Sequence, residues 1–142
     1  MPTFRDVRAR CQINGFQCHH LIPVKVCNMG ALRPFFEKSK AYGFDPDDFG
    51  VNGMPLPCRE RMAAAFGLPL HRGPHPAYNQ MVAERLAAIS VLNECESWLQ
   101  LMQFLRALRE GLRNCRHPFQ PTVDMRRLDS DADFLFRFTQ PS

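Results

Sequence analysis

Between Pro76 and Gly111 the chain carries neither proline nor glycine, and all 12 prolines and 8 glycines fall outside that stretch. Both residues interrupt helices, so long helices are expected here and only short elements before it. Tyr78, Met81, Val82, Leu86 and Ile89 recur at helical spacing and predict a first amphipathic helix. Asn93 and Glu96 resemble a capping box, which starts a second helix. Trp98, Leu101, Met102, Leu105, Leu108 and Leu112 stripe that second helix, whose polar end runs to about Cys115. Such stripes are core, so residues 93–142 are expected to be helical support, with a further short helix from Asp131 to Phe138.

The part ahead of Pro76 is punctuated differently. Residues 1–15 form a basic segment ending in a turn at Asn14-Gly15, and Phe16 to Ile22 reads as a strand closed by Pro23. A helix is expected from Gly30 to Tyr42, since Pro34 falls in its first turn and Gly43 can stop it. Val51-Asn52-Gly53 reads as a tight turn, Met54 to Pro57 as an edge strand limited by its two prolines, and Arg59 to Phe66 as a small helix ended by Gly67. The fold class is therefore α+β and mostly helical, in one domain over residues 1–142.

Composition narrows the function. A hydrophobic fraction of 45% and a charged fraction of 23% are ordinary for a soluble domain. No apolar run approaches the ~18 residues of a membrane span, and the N-terminus has no apolar signal region, so a cytoplasmic protein is expected, with signal-independent export compatible. The 6 cysteines form no CxxC pair and read as thiols; Cys18, next to His19, would point to the opposite face of a strand. The net charge of +4 suits a polyanionic partner without requiring one. Arg106, Arg109, Arg113 and Arg116 share one face of the second long helix, either as a solvated face or as a ridge contacting phosphates.

Four of the 5 histidines lie in two segments, Cys18-His19-His20-Leu21-Ile22-Pro23 and His71-Arg72-Gly73-Pro74-His75-Pro76-Ala77-Tyr78-Asn79. Hydrolysis of a phosphodiester needs a base to take a proton from water and a charge to stabilise the transition state. A neutral imidazole, with an unperturbed pKa of about 6.5, can be the base, and one divalent metal can supply the charge. Neighbouring strand residues project to opposite faces, so one of His19 and His20 can ligate while the other activates water, given a distortion near Pro23 that lets both border one cleft. His75, between two prolines at a helix start, has little backbone freedom to lose as a ligand. A further ligand comes from His71 or, one helical turn beyond His75, from the amide oxygen of Asn79. Histidine donors suit zinc, nickel or manganese better than magnesium. His117, before Pro118, reads as an ordinary polar side chain.

With Asn52-Gly53-Met54-Pro55-Leu56-Pro57 between them, these two segments resemble the AHH branch of the HNH/endonuclease VII superfamily, over residues 16–90. The resemblance implies a ββα-metal finger, two strands and a helix around one metal, embedded here in a helical scaffold. It implies His19 as a metal ligand from the first strand, His20 as general base, and Asn52 as the residue that orients the His20 ring. His75, with His71 or Asn79, would complete the metal shell. The family's alanine before the histidine pair is Cys18 here.

The expected activity is metal-dependent endonucleolytic cleavage of DNA with little sequence preference, Arg72, Arg59 and the Arg106, Arg109, Arg113 face holding phosphates. The metal is a divalent ion, Zn, Ni, Mn or Mg. The resemblance also implies a toxin or effector role, which would bring an immunity protein as partner. Two alternatives share the same residues: a binding module stapled by a structural metal on four histidines, and a ribonuclease.

Overall fold

A computed structural model describes residues 1–71 and 74–114, so Arg72, Arg116, His117 and the expected helix from Asp131 to Phe138 lie outside the described residues. The elements run α1 (Phe4–Ile13), β1 (Phe16–His20), α2 (Val24–Cys27), α3 (Arg33–Ala41), α4 (Phe49–Asn52), β2 (Gly53–Pro57), α5 (Glu60–Phe66), α6 (Pro76–Ser90) and α7 (Glu94–Arg113). The fold is α+β and mostly helical.

The two long helices form where neither proline nor glycine intervenes. Pro76 opens α6 at a position whose amide would lack a partner anyway. The Asn93 side chain accepts from the Glu96 N–H at 2.9 Å and caps α7. Their stripes interlock: Tyr78, Val82 and Leu86 of α6 join Leu101, Leu105, Leu108 and Leu112 of α7 in one core with Leu21, Ile22, Phe36, Phe44, Met54 and Leu56. The apolar side chains of the small sheet thus share one core with the helical pair, and two strands alone would be marginal in water.

β1 and β2 pair antiparallel in unbroken register, from Phe16 opposite Pro57 to His20 opposite Gly53. The strand ends at His20, ahead of Leu21-Ile22-Pro23, which carry the chain out of the sheet. Between the strands, the anticipated tight turn at Val51-Asn52-Gly53 is instead the end of the single helical turn α4, capped by the Asp48 side chain accepting from the Gly50 N–H. Glycine is required at Gly53 because a Cβ there would sit 2.6 Å from the Phe49 carbonyl oxygen. Gly67 takes a left-handed φ of 65° and stops α5, as its position after Phe66 predicts.

The basic N-terminal segment, for which no element is read from the sequence, is a ten-residue helix. Its signal was the Thr3-x-x-Asp6 capping box: Thr3 accepts from the Asp6 N–H, and the Asp6 carboxylate accepts from the Thr3 N–H at 2.8 Å. Only Phe4 is buried, so the apolar periodicity is too thin to announce a helix. α1 packs on β1, and the Phe49 N–H donates to the Pro2 carbonyl at 3.0 Å, tying the N-terminus to α4.

Candidate metal centre and nuclease site

β1 sorts its side chains by parity. His19 turns inward and is 1% exposed, whereas Cys18 and His20 lie on the α1 side. The Cys18 thiol meets Cys11 of α1, and burial pushes its pKa up to about 12. Cys18 therefore takes no part in the inward cluster.

Two further histidines reach His19 from the second segment. His71 is fixed to the end of β2, its backbone N–H donating to the Pro57 carbonyl at 2.8 Å. His75 is the residue just before α6. The three rings lie with centroids 5.0 to 5.2 Å apart, and one nitrogen of each falls within 4.8 Å of the others.

Hydrogen bonds behind the rings decide which nitrogens face the centre. The His75 Nδ1–H donates to Asn79 Oδ1 at 2.9 Å, and the His71 Nδ1–H donates to Gln17 Oε1 at 2.9 Å. In neutral imidazoles this assignment puts the acceptor lone pair of each ring on its Nε2. The two Nε2 atoms stand 3.2 Å apart, so two lone pairs face each other rather than form a hydrogen bond. The third, His19 Nε2, is buried without a hydrogen-bond partner. Three converging lone pairs in a buried site repel one another unless a cation sits among them. Their 3.2 Å approach is close to the about 3.4 Å that tetrahedral Zn–N bonds of 2.0–2.1 Å require. The donor set therefore fits a metal ion.

Electrostatics agree with that role. Burial, then the neighbouring His71 and His75, hold His19 well below the ordinary imidazole pKa. Burial also lowers His75, against the opposing effect of Asn79. Both rings stay neutral and available as donors near pH 7. Tyr78 lies edge-on to His19 and His75 at 5.0 and 5.3 Å, and its hydroxyl donates to the Leu21 carbonyl at 2.6 Å, bracing the end of β1.

His19, His71 and His75 are brought together, while Asn79 places its oxygen behind His75 rather than toward the cluster. Asn52 is buried, but its amide does not orient the His20 ring: it donates to the Ile22 and Pro46 carbonyls at 3.0 Å each and accepts from the Ile22 N–H at 2.8 Å. The Asn52 backbone carbonyl accepts from the Leu21 N–H at 2.8 Å. The residue clamps α4 to the exit of β1, its amide donating and accepting at once. His20 stacks instead on Phe4, centroids 3.6 Å apart and planes 3° from parallel. Burial lowers its pKa, with Asp47 pulling up and Arg8 pushing down.

The arginines divide too. Arg109 is half-buried, and its guanidinium donates to the Gly50, Val51 and Gly53 carbonyls at 3.1 to 3.3 Å and so holds the end of α4. Arg106 and Arg113 are exposed, as is Arg59 just ahead of α5. Sequence reasoning missed Gln17 and Phe4. Gln17 could have been found from β1 itself, being two residues before His19, though nothing local announces its long-range partner.

No helix among the described residues is long and apolar enough to cross a membrane. No curated protein and no solved structure matches the chain. A sequence model of the AHH family, described as a nuclease family of the HNH/ENDO VII superfamily with conserved AHH, matches residues 6–112, the span that carries the three converging imidazoles and the His20 beside them. The chain belongs to that family, as an HNH-type nuclease that hydrolyses phosphodiester bonds.

Proposed function

We propose that the protein is a divalent-metal-dependent endonuclease acting on DNA, with His19, His71 and His75 as metal ligands and His20 as general base. The observation that carries this is the convergence of one ring nitrogen from each of His19, His71 and His75 within 4.8 Å, His19 Nε2 being buried without a hydrogen-bond partner, with a fourth histidine next to the set and outside it. Three protein ligands leave a position open, as catalytic sites do, whereas a structural staple uses four. His20 on the outer face of β1 speaks against that closed arrangement. All-nitrogen donors favour zinc, nickel or manganese over magnesium.

When bound, the metal would supply positive charge to the pentacovalent phosphate and to the leaving oxygen. The remaining chemistry belongs to the chain. His20, kept neutral by burial, accepts the proton of the attacking water. It stands at the last position of β1, where rings on the two faces of the strand can border one substrate. Asn79 and Gln17 hold the His75 and His71 rings in the ligating tautomer. Exposed Arg59, Arg106 and Arg113 offer charge to the backbone of the substrate. A toxin or effector role with an immunity partner rests on the family resemblance alone.

The test is incubation of purified protein with supercoiled plasmid and with single-stranded RNA, in Mg, Mn, Ni or Zn, with and without EDTA. Cleavage of plasmid restored by metal after EDTA, and lost in His20→Ala at unchanged metal content, is the expected result. Cleavage of RNA alone would reassign the substrate. No cleavage with any metal, together with loss of fold on chelation, would leave a metal-stapled module.

A further inference from the structure

His20 makes no hydrogen bond through its ring among the described residues, and Asn52, the residue next to it in the fold with the chemistry to hold it, is fully engaged elsewhere. A general base whose ring can rotate would present its lone pair in many directions. The ring of His20 is instead laid flat on a buried aromatic plate. Phe4 is 3% exposed and lies parallel to it at 3.6 Å. Phe49 meets Phe4 edge-on at 5.2 Å and 81°, and the Phe49 N–H is tied to Pro2. Phe4 is therefore itself fixed from behind, on a helix started by the Thr3–Asp6 capping box.

We propose that Phe4 is a positioning residue for His20: α1 sets the plane of the base, and hence the direction of its lone pair, by stacking rather than by hydrogen bonding. The proposal rests on His20 being the base. It assigns work to a residue ahead of the 6–112 segment that matches the family. Stacking suits the task because it restrains the ring plane while leaving both ring nitrogens free, one to take the proton and one to pass it to solvent. A neutral aromatic face also adds no charge that would bias the protonation of the imidazole.

The experiment compares Phe4→Leu, Phe4→Met and Phe4→Tyr in the full chain, each alone and with His20→Ala, on plasmid DNA (or RNA, if RNA is cut) with Mn. Thermal melting and bound metal are measured alongside. Loss of orientation is expected to lower kcat on the order of ten- to a hundred-fold in the Leu and Met variants with KM unchanged. Phe4→Tyr should keep kcat within about twofold, since the aromatic face that holds the ring persists. In the His20→Ala background, Phe4→Leu should cost nothing further, because residues acting as a unit are non-additive. Met refills lost volume flexibly, so it serves if Leu fails to fold. In metal-free wild type, the carbon-bound ring protons of His20 should resonate upfield under the Phe4 ring current and move back in the Leu or Met variant.

Wild-type kcat in Phe4→Leu or Phe4→Met would overturn the proposal, as would an equal loss with and without His20. If the His20 protons show no ring-current shift, the stack itself is refuted, whatever the activity. Full cleavage by His20→Ala would instead remove the base assignment on which the proposal rests, and that outcome is distinct from a failure at Phe4 alone.

Discussion

Replacing Asn52 with aspartate separates two jobs that an asparagine there could do. If Asn52 served as an acceptor toward His20, Asn52→Asp would keep the acceptor and preserve function. The structure assigns its amide N–H groups to the Ile22 and Pro46 carbonyls, each at 3.0 Å. An aspartate would point an oxygen at both carbonyls from a site with no solvent exposure. Removing the side chain in Asn52→Ala loses three hydrogen bonds and orphans the Ile22 N–H, a cost of about 2–4 kcal/mol. That is a large share of the about 5–15 kcal/mol that stabilises a domain, or roughly a 10 °C fall in melting temperature. Ionised Asn52→Asp should lose at least as much, because the buried charge faces two carbonyl dipoles. Its folded pKa would be raised, so the folded state binds more protons than the unfolded one above about pH 4. The deficit relative to wild type should then grow as pH rises from 5 to 8 and shrink as the acid protonates and donates one bond back. Urea denaturation of metal-free protein across that range measures it. A wild-type midpoint for Asn52→Asp at pH 8, with normal cleavage, would refute the clamp and restore the acceptor role.

Saturating metal should raise the melting temperature of EDTA-treated protein, by about 2.7 kcal/mol of stability at a hundredfold excess over Kd; His19→Ala should abolish the shift, and an equal shift in that variant would exclude the site. Asn79→Ala and Gln17→Ala should each weaken metal binding about 10- to 100-fold without abolishing it, as read by competition against a chromogenic chelator. Arg109→Ala should lower stability by about 1–3 kcal/mol through the carbonyls it leaves unpaired, while the salt dependence of KM stays unchanged; a flattened salt slope would return Arg109 to the phosphate ridge. Metal-free protein should lose stability on acidification, because His19 has a folded pKa well below 6.5 while the unfolded ring protonates near it. Stability is full above about pH 6.5 and declines below it by up to about 1.4 kcal/mol per pH unit for each such histidine, which a pH series of urea midpoints checks.

How much of this was legible in the sequence depended on how local the determining interaction was. The helices α6 and α7 could be read from their stripes, from Pro76 and from Asn93, because helix periodicity and caps are written within a few residues. The stop at Gly67 was legible for the same reason. The helix α1 was not, although its capping box is equally local, because Phe4 alone is buried and the rest of its face is polar. At the site, the identity of the converging histidines was visible as clustering. What separated His71 from Asn79 was the direction of two Nδ1–H bonds, and Gln17 supplies one of them from 54 positions away in the chain. No spacing rule carries that information. Asn52 and Arg109 show the converse: their residue types suggested chemistry, and in the fold their side chains hold backbone carbonyls, through partners that no local spacing announces.

Asn52, Arg109 and Tyr78 together suggest why this small sheet is embedded in so much helix. A catalytic ligand set must be held within about half an ångström, and a pair of five-residue strands cannot hold itself to that tolerance. The exit of β1 is pinned from three directions: by Asn52 from α4, by the Tyr78 hydroxyl from α6, and through Arg109 of α7, which grips the carbonyls of α4 and Gly53. Each restraint reaches backbone, not the imidazoles themselves. Backbone restraints add no hydrogen bond to His19 Nε2 or to the His20 ring, which is what a site needs if those nitrogens are to face a cation and a water. The long helices, scaffold by their stripes, therefore act on the chemistry through two carbonyl-directed side chains, Tyr78 and Arg109, with Asn52 of α4 as the third restraint, and substitutions at these positions should disturb the alignment of His19 and His20 together rather than either alone.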